Sequence, residues 1–163
     1  MNWYFLVFKK YAKLSGRSRR KEYWMFILFN TIISIILSLL DKLFGFDIFS
    51  STNNINNSGI LSTIYSLATL VPFIAVGVRR LHDTNRSGWF LLLPLAPYLL
   101  ILLSPFLGKI GFVLIFMSGL TIVVFLIVVI VLLATKGDHG KNYYGSDPKE
   151  SEGQQFDDSL LDN

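Results

Sequence analysis

Hydrophobic positions in this chain come in long unbroken runs, without the alternation of a half-buried strand. Tyr23 to Leu40 holds no charged residue over 18 positions, and Ile60 to Val78 none over 19. As a helix rising about 1.5 Å per residue, either run reaches across most of a hydrocarbon core of about 30 Å. Trp89 to Ala134 is longer, 46 residues interrupted only by Lys109. A single helix of that length would run to roughly 69 Å, about twice what a bilayer covers, so the segment is expected to fold back. The break is written at Gly108-Lys109-Ile110-Gly111, where two glycines suit a turn and the one charge can stay in water. The pattern predicts helices at about 23–44, 60–78, 89–107 and 110–134: an all-α integral membrane four-helix bundle in one domain over residues 1–148.

Charge gives the expected orientation, because cytoplasmic loops are enriched in Lys and Arg. Seven cations precede the first run (Lys9, Lys10, Lys13, Arg17, Arg19, Arg20, Lys21), three follow the second (Arg79, Arg80, Arg86) and three follow the fourth (Lys136, Lys141, Lys149). The other two loops carry one each, Lys42 and Lys109. Both termini are therefore expected in the cytoplasm, as an even number of spans also requires. Trp3, Trp24 and Trp89 fall at the same predicted boundary, where amphipathic rings prefer to sit. Ahead of the spans, Tyr4, Val7, Phe8, Tyr11 and Leu14 recur at helical spacing within Trp3 to Leu14. That predicts an amphipathic helix lying at the membrane interface, the alternative being a disordered basic leader. The leader has too short an apolar stretch for a cleavable signal peptide.

Composition sharpens this picture. Only 16% of residues are charged, against about 25% in an ordinary soluble domain. Cys is absent, which excludes a disulfide scaffold. Residues 1–136 carry a net charge of +9 and residues 137–163 one of −5, so 149–163 reads as an acidic, partly disordered tail. Nucleic-acid binding is not indicated, since the basic residues flank the spans as topology demands.

Two basic stretches carry a pattern: Gly16-Arg17-Ser18-Arg19-Arg20-Lys21-Glu22-Tyr23-Trp24, and Arg79-Arg80-Leu81-His82-Asp83-Thr84-Asn85-Arg86-Ser87-Gly88-Trp89. With Gly137, Gly140, Asn142, Tyr144, Gly145, Asp147 and Pro148 after the fourth run, they resemble the YhaH-like family of bacterial inner-membrane proteins, domain of unknown function 805. The resemblance covers about residues 1–148 and implies a small multi-pass protein of the bacterial inner membrane. It implies no activity.

The motifs lie on one predicted side, so Arg17, Arg19, Arg20, Arg79, Arg80 and Arg86 can form a cytosolic collar for anionic lipid headgroups or a partner protein. Guanidinium forks match phosphate oxygens. The plainer reading is that these residues only set topology, yet all three cations of the middle motif are Arg, where Lys would serve equally. His82 and Asp83, with Asp138 and His139, contain enough donors for a metal, but no spacing makes them meet. Pairing of Asp83 with a neighbouring Arg, a hydrogen-bonding His82 and a turn at Asp83-Thr84-Asn85 account for the middle motif more simply. His82, Asp83 and Asn142 stand as motif residues of unassigned role, and neither a metal nor a cofactor is expected. Inside the spans there is no Asp, Glu, Lys, Arg or His, which counts against a proton-driven transporter. Asn30, Ser34 and Ser38, and Ser62, Ser66 and Thr69, fall on single helix faces. Packing explains them, with a polar path in a small transporter or channel component as the alternative. Pro94 and Pro97 are placed to interrupt the third helix. A non-enzymatic membrane protein, bound to lipid, to a partner or to further copies of itself, is the leading expectation.

Overall fold

The computed structural model describes residues 2–46 and 59–149, with side chains from Tyr4 onward. The loop at 47–58 and all but the first residue of the expected acidic tail lie outside the described residues. Among the described residues every regular element is helical, and Asn142 and Gly145 form an isolated bridge. The helices are α1 (Asn2–Lys9), α2 (Arg20–Phe44), α3 (Ile60–Asp83), α4 (Tyr98–Leu103) and α5 (Gly108–Ala134). Two 3-10 segments, Gly88–Leu95 and Ser104–Leu107, flank α4. Among the described residues three helical stretches are long and apolar enough to cross a membrane: Arg20–Phe44, Ile60–Asp83 and the 47 residues of Gly88–Ala134. The described residues fall into two compact units, one drawn from residues 2–14, 21–46 and 59–76 and the other from residues 15–20 and 77–149.

In the first unit, α1 packs through aromatic rings. Tyr4 stacks on Phe26 at 5.8 Å between centroids and lies 5.7 Å from Phe29, while Phe8 lies 6.0 Å from Phe26. Since the earlier residue of α1 reaches the later one of α2, the two helices run antiparallel there. Val7 is fully buried. The Tyr4 and Tyr65 hydroxyls lie 3.1 Å apart, and Tyr65 donates to Asn30 Oδ1 at 2.8 Å, so Asn30 serves helix packing. The helix expected over Trp3 to Leu14 ends at Lys9, and Tyr11 donates its hydroxyl to the Ala68 carbonyl at 2.5 Å. Ser62, Ser66 and Thr69 bond back to carbonyls of Gly59, Thr63 and Tyr65, the commonest way for a hydroxyl to be satisfied in an apolar helix. Asp41 lies buried at the far end of α2. Its carboxylate accepts the amides of Leu61 at 3.0 Å and Ser62 at 2.8 Å, which satisfies donors of the first turn of α3 at its positive dipole end.

In the second unit, residues 88–107 do not form the single α-helix expected over 89–107. Pro94, Pro97 and Pro105 lack the amide hydrogens that an α-helix uses at those positions, and the chain adopts short 3-10 and α pieces instead. All three pieces pack against α5. The long apolar stretch thus folds back, and does so at Gly108, whose φ of +53° favours glycine. Three residues on, Gly111 lies so close to the Ser104 carbonyl that a Cβ there would overlap it, whereas Gly119 faces open space.

That contrast makes a test. Gly111→Val is expected to lower the thermal midpoint of the purified protein in mild detergent, with a cost of about 1–3 kcal/mol for overpacking. Gly119→Val should leave the midpoint within about one degree, as its cost is that of an exposed site.

Candidate functional site

The site is assembled at the end of α3. After Asp83 the chain turns in a Schellman motif: Asn85 N–H donates to the His82 carbonyl and Arg86 N–H to the Leu81 carbonyl, both at 3.1 Å, with Asn85 at φ +54°. The turn expected from Asp83-Thr84-Asn85 is this motif. It ends the helix so that Arg80 and Asp83, three residues apart, share one face and form an ion pair. A second guanidinium arrives from 66 residues earlier. The turn at Gly16 delivers Arg17, whose Nε donates to Asp83 Oδ1 at 2.9 Å. Both carboxylate oxygens of Asp83 are thereby engaged, one by each arginine. Arg80 is fully buried, and Arg17 and Asp83 nearly so, at 7% and 6% exposure.

The remaining donors of the arginines turn to backbone carbonyls. Arg80 donates from Nε to the Leu133 carbonyl at 2.9 Å and from Nη2 to that of Thr135. Arg20 reaches the Ala134 carbonyl at 3.3 Å. These are carbonyls at the C-terminal end of α5, which have no amide partner within the helix and sit at its negative dipole end, where a cation is favoured. Arg17 donates to the carbonyls of Asp138 and Gly140, and Arg19 to that of Pro148 at 2.7 and 3.1 Å.

The segment 135–148 is thereby strapped to the end of α3. Asp138 N–H donates to the Asp83 carbonyl at 2.8 Å, and Asn142 Nδ2 to the His82 carbonyl at 2.9 Å. The Tyr144 ring stacks on His82 at 3.8 Å with 6° between planes. His82 Nδ1 lies 3.3 Å from the Gly16 carbonyl, so the ring also touches the turn that carries Arg17. Gly137 passes directly over the Asp83 carboxylate, where any Cβ would collide. Buried Asp147 closes the strap on itself, accepting from the Lys149 amide at 2.9 Å and the Gly140 amide at 3.4 Å. Its carboxyl is held below the ordinary aspartate value, first by the Lys149 amide, then by the Gly140 amide and the nearby Arg17 charge, against an opposing effect of burial.

The six arginines therefore separate. Arg17, Arg79 and Arg80 lie in the interior, and the backbone carbonyl of Arg79 accepts the Ser18 amide at 3.1 Å. Arg19 is half-buried against Pro148, and Arg20 and Arg86 are exposed, the latter with its guanidinium 6.0 Å from the Phe90 ring. His82, Asp83 and Asn142 meet in one network. The carboxylate of Asp138 and the ring of His139 are exposed, and among the described residues no three His, Cys, Asp or Glu side chains come close enough to hold a metal. The sequence had offered no sign that Tyr144 stacks on His82 or that Arg17 pairs with Asp83; the one available signal was that all three motifs flank the same predicted side.

Comparison with known proteins places most of the chain in one family. A family described as protein of unknown function, DUF805, matches residues 11–146. The chain belongs to that family. The DUF805 match takes in the turn at Gly16, the end of α3 and nearly all of the strap. Among relatives, inner membrane protein YhaH of Escherichia coli (strain K12) is 40% identical over 149 residues, 91% of this chain and 98% of that protein. Inner membrane protein YhaI of the same strain is 36% identical over 149 residues, 91% of this chain and 97% of its own length. No solved structure matches.

Two outcomes follow from the strap. Arg17→Met should free residues 135–148, so that limited proteolysis cuts there at least about tenfold faster than in the wild type while α2 and α3 stay protected. The lowered pKa of Asp147 stabilises the strap fully above the ordinary aspartate value of about 3.9, and that stabilisation is lost as pH falls through its lower folded value. Asp147→Asn should remove this part of the acid sensitivity, read as the difference in strap cleavage between pH 7 and pH 3 by an acid-stable protease.

Proposed function

We propose that this DUF805 member is a non-enzymatic protein of the bacterial inner membrane, with four spans and both termini in the cytoplasm. The back-fold at Gly108 supports two crossings within Gly88–Ala134, and the names of the relatives support the location. Interior arginines hold its cytosolic face together, and exposed cations on that face, Arg20 and Arg86 foremost, engage anionic lipid headgroups. α1 then lies at the level of the interface, where its aromatic residues and Lys9 suit the boundary between hydrocarbon and water.

The observation that carries this reading is the separation of the arginines. Arg17 and Arg80 spend their forks on Asp83 and on carbonyls in the interior, while Arg20, which also reaches the Ala134 carbonyl, and Arg86 are exposed at the ends of apolar helices. Cations so placed feel the negative surface potential of the cytoplasmic leaflet, worth about 1 kcal/mol each. The test is native mass spectrometry of the protein released from membranes in mild detergent. The wild type should retain phosphatidylglycerol in preference to phosphatidylethanolamine. Arg20→Gln/Arg86→Gln should cut that preference severalfold without lowering the thermal midpoint by more than a few degrees. An unchanged lipid profile in this double variant would refute the assignment.

A further inference from the structure

The first unit contains a cleft of about 190 Å³ between α1 and α2, lined by Tyr4, Phe5, Phe29 and Ile33. Its walls are hydrocarbon and aromatic, and the one hydroxyl among them, that of Tyr4, is turned to Tyr65. An apolar cavity of about 150 Å³ stays free of water and accepts a ring-sized hydrocarbon, so this one is large enough for a short length of an alkyl chain. Phe5 on one wall is more than half exposed, and Leu28, Ile32 and Ile36 beside the other are exposed too. The cleft therefore opens on a surface that only hydrocarbon would solvate well.

One end of the cleft is charged. On α1, Lys9 follows Phe5 by four residues and so lies on the same face, one turn further along. On α2, Phe29 and Ile33 continue a ridge that begins with Lys21 and Met25, each four residues apart. Because α1 and α2 run antiparallel, Lys9 and Lys21 lie toward the same end. Both lysines are exposed. Lys21 precedes Phe29 by eight residues, or about 12 Å along the axis, a distance suited to a phosphate at the surface and a chain segment below it.

From this charge complementarity we infer that the α1–α2 cleft seats one acyl chain of an anionic phospholipid, whose headgroup lies at Lys9 and Lys21. The inference rests on the reading of α2 as a membrane span and adds a defined site to it. Whereas the exposed arginines attract a leaflet of negative charge, the cleft selects a single molecule by both its chain and its phosphate.

The experiment is titration of the full chain in mild detergent with phosphatidylglycerol or phosphatidylcholine, with bound lipid counted by native mass spectrometry. The wild type should take up one phosphatidylglycerol at a concentration at least tenfold below that for phosphatidylcholine. Ile33→Trp, which fills the cleft, should weaken uptake tenfold or more, and Ile36→Trp, outside it, should not. Lys9→Gln/Lys21→Gln, two surface changes that leave the core intact, should bring phosphatidylglycerol down to the level of phosphatidylcholine. Millimolar inorganic phosphate should not displace the lipid; displacement would mean a headgroup site without a seated chain and would overturn the inference. Unaltered uptake by Ile33→Trp would also overturn it, and if Arg20→Gln/Arg86→Gln still lost its lipid preference, the broader reading would survive alone. No uptake by the wild type would sink both.

Discussion

Ions removed from water must find their counter-charges and hydrogen bonds within the protein, and Asp83 with Arg17 and Arg80 is where this fold meets that demand. Arginine side chains as a class are cationic in proteins, and Arg17 and Arg80 bring two such charges to one place. Each is buried, so each must be surrounded by acceptors, and a single carboxylate cannot supply them all. The shortfall is made up by carbonyls at the end of α5 and in the segment that follows it. Consequently the chain after Ala134 is tied to the end of α3 and to the turn at Gly16. The strap is a requirement of the buried charge as much as a product of it.

Other details of the second unit take their places around this cluster. Gly137 has no side chain because the Asp83 carboxylate occupies that space. Asn85 ends α3 immediately after Asp83, leaving the carboxylate at a helix end where a partner from another segment can reach it. The stack of Tyr144 on His82 is a further attachment of the strap to the end of α3. Arg20, which reaches the Ala134 carbonyl, and Arg86 are left exposed. The lipid-facing role proposed for Arg20 and Arg86 starts from that exposure, whereas Arg17 and Arg80 are held in the interior by their bonds to Asp83 and to backbone carbonyls.

Much of the architecture was legible in the sequence because hydrocarbon is intolerant of charge: the apolar runs stand out, and Gly108 with Gly111 marks the back-fold. The irregular stretch at 88–107 was only partly legible. Prolines announce missing amides, but whether neighbouring packing restores an α-helix or yields to 3-10 turns depends on α5. The candidate site was legible as a set of motifs and illegible as a network. Six arginines look alike in sequence, and only burial separates Arg80, fully enclosed, from Arg86, exposed. Pairing of Asp83 with an arginine followed from its neighbourhood in the chain. The second partner came from 66 positions away, and no spacing rule relates it to the first.

The most direct measurement is a double-mutant cycle on the buried pair, using unfolding free energies in mild detergent for Arg17→Met, Asp83→Leu and the double variant. Removing one member of a buried pair leaves an uncompensated charge and is expected to cost about 3–5 kcal/mol. The account predicts that the double variant costs less than the two single variants combined by at least about 1 kcal/mol, because each change relieves part of the damage done by the other. Strict additivity, or single variants as stable as the wild type, would contradict it.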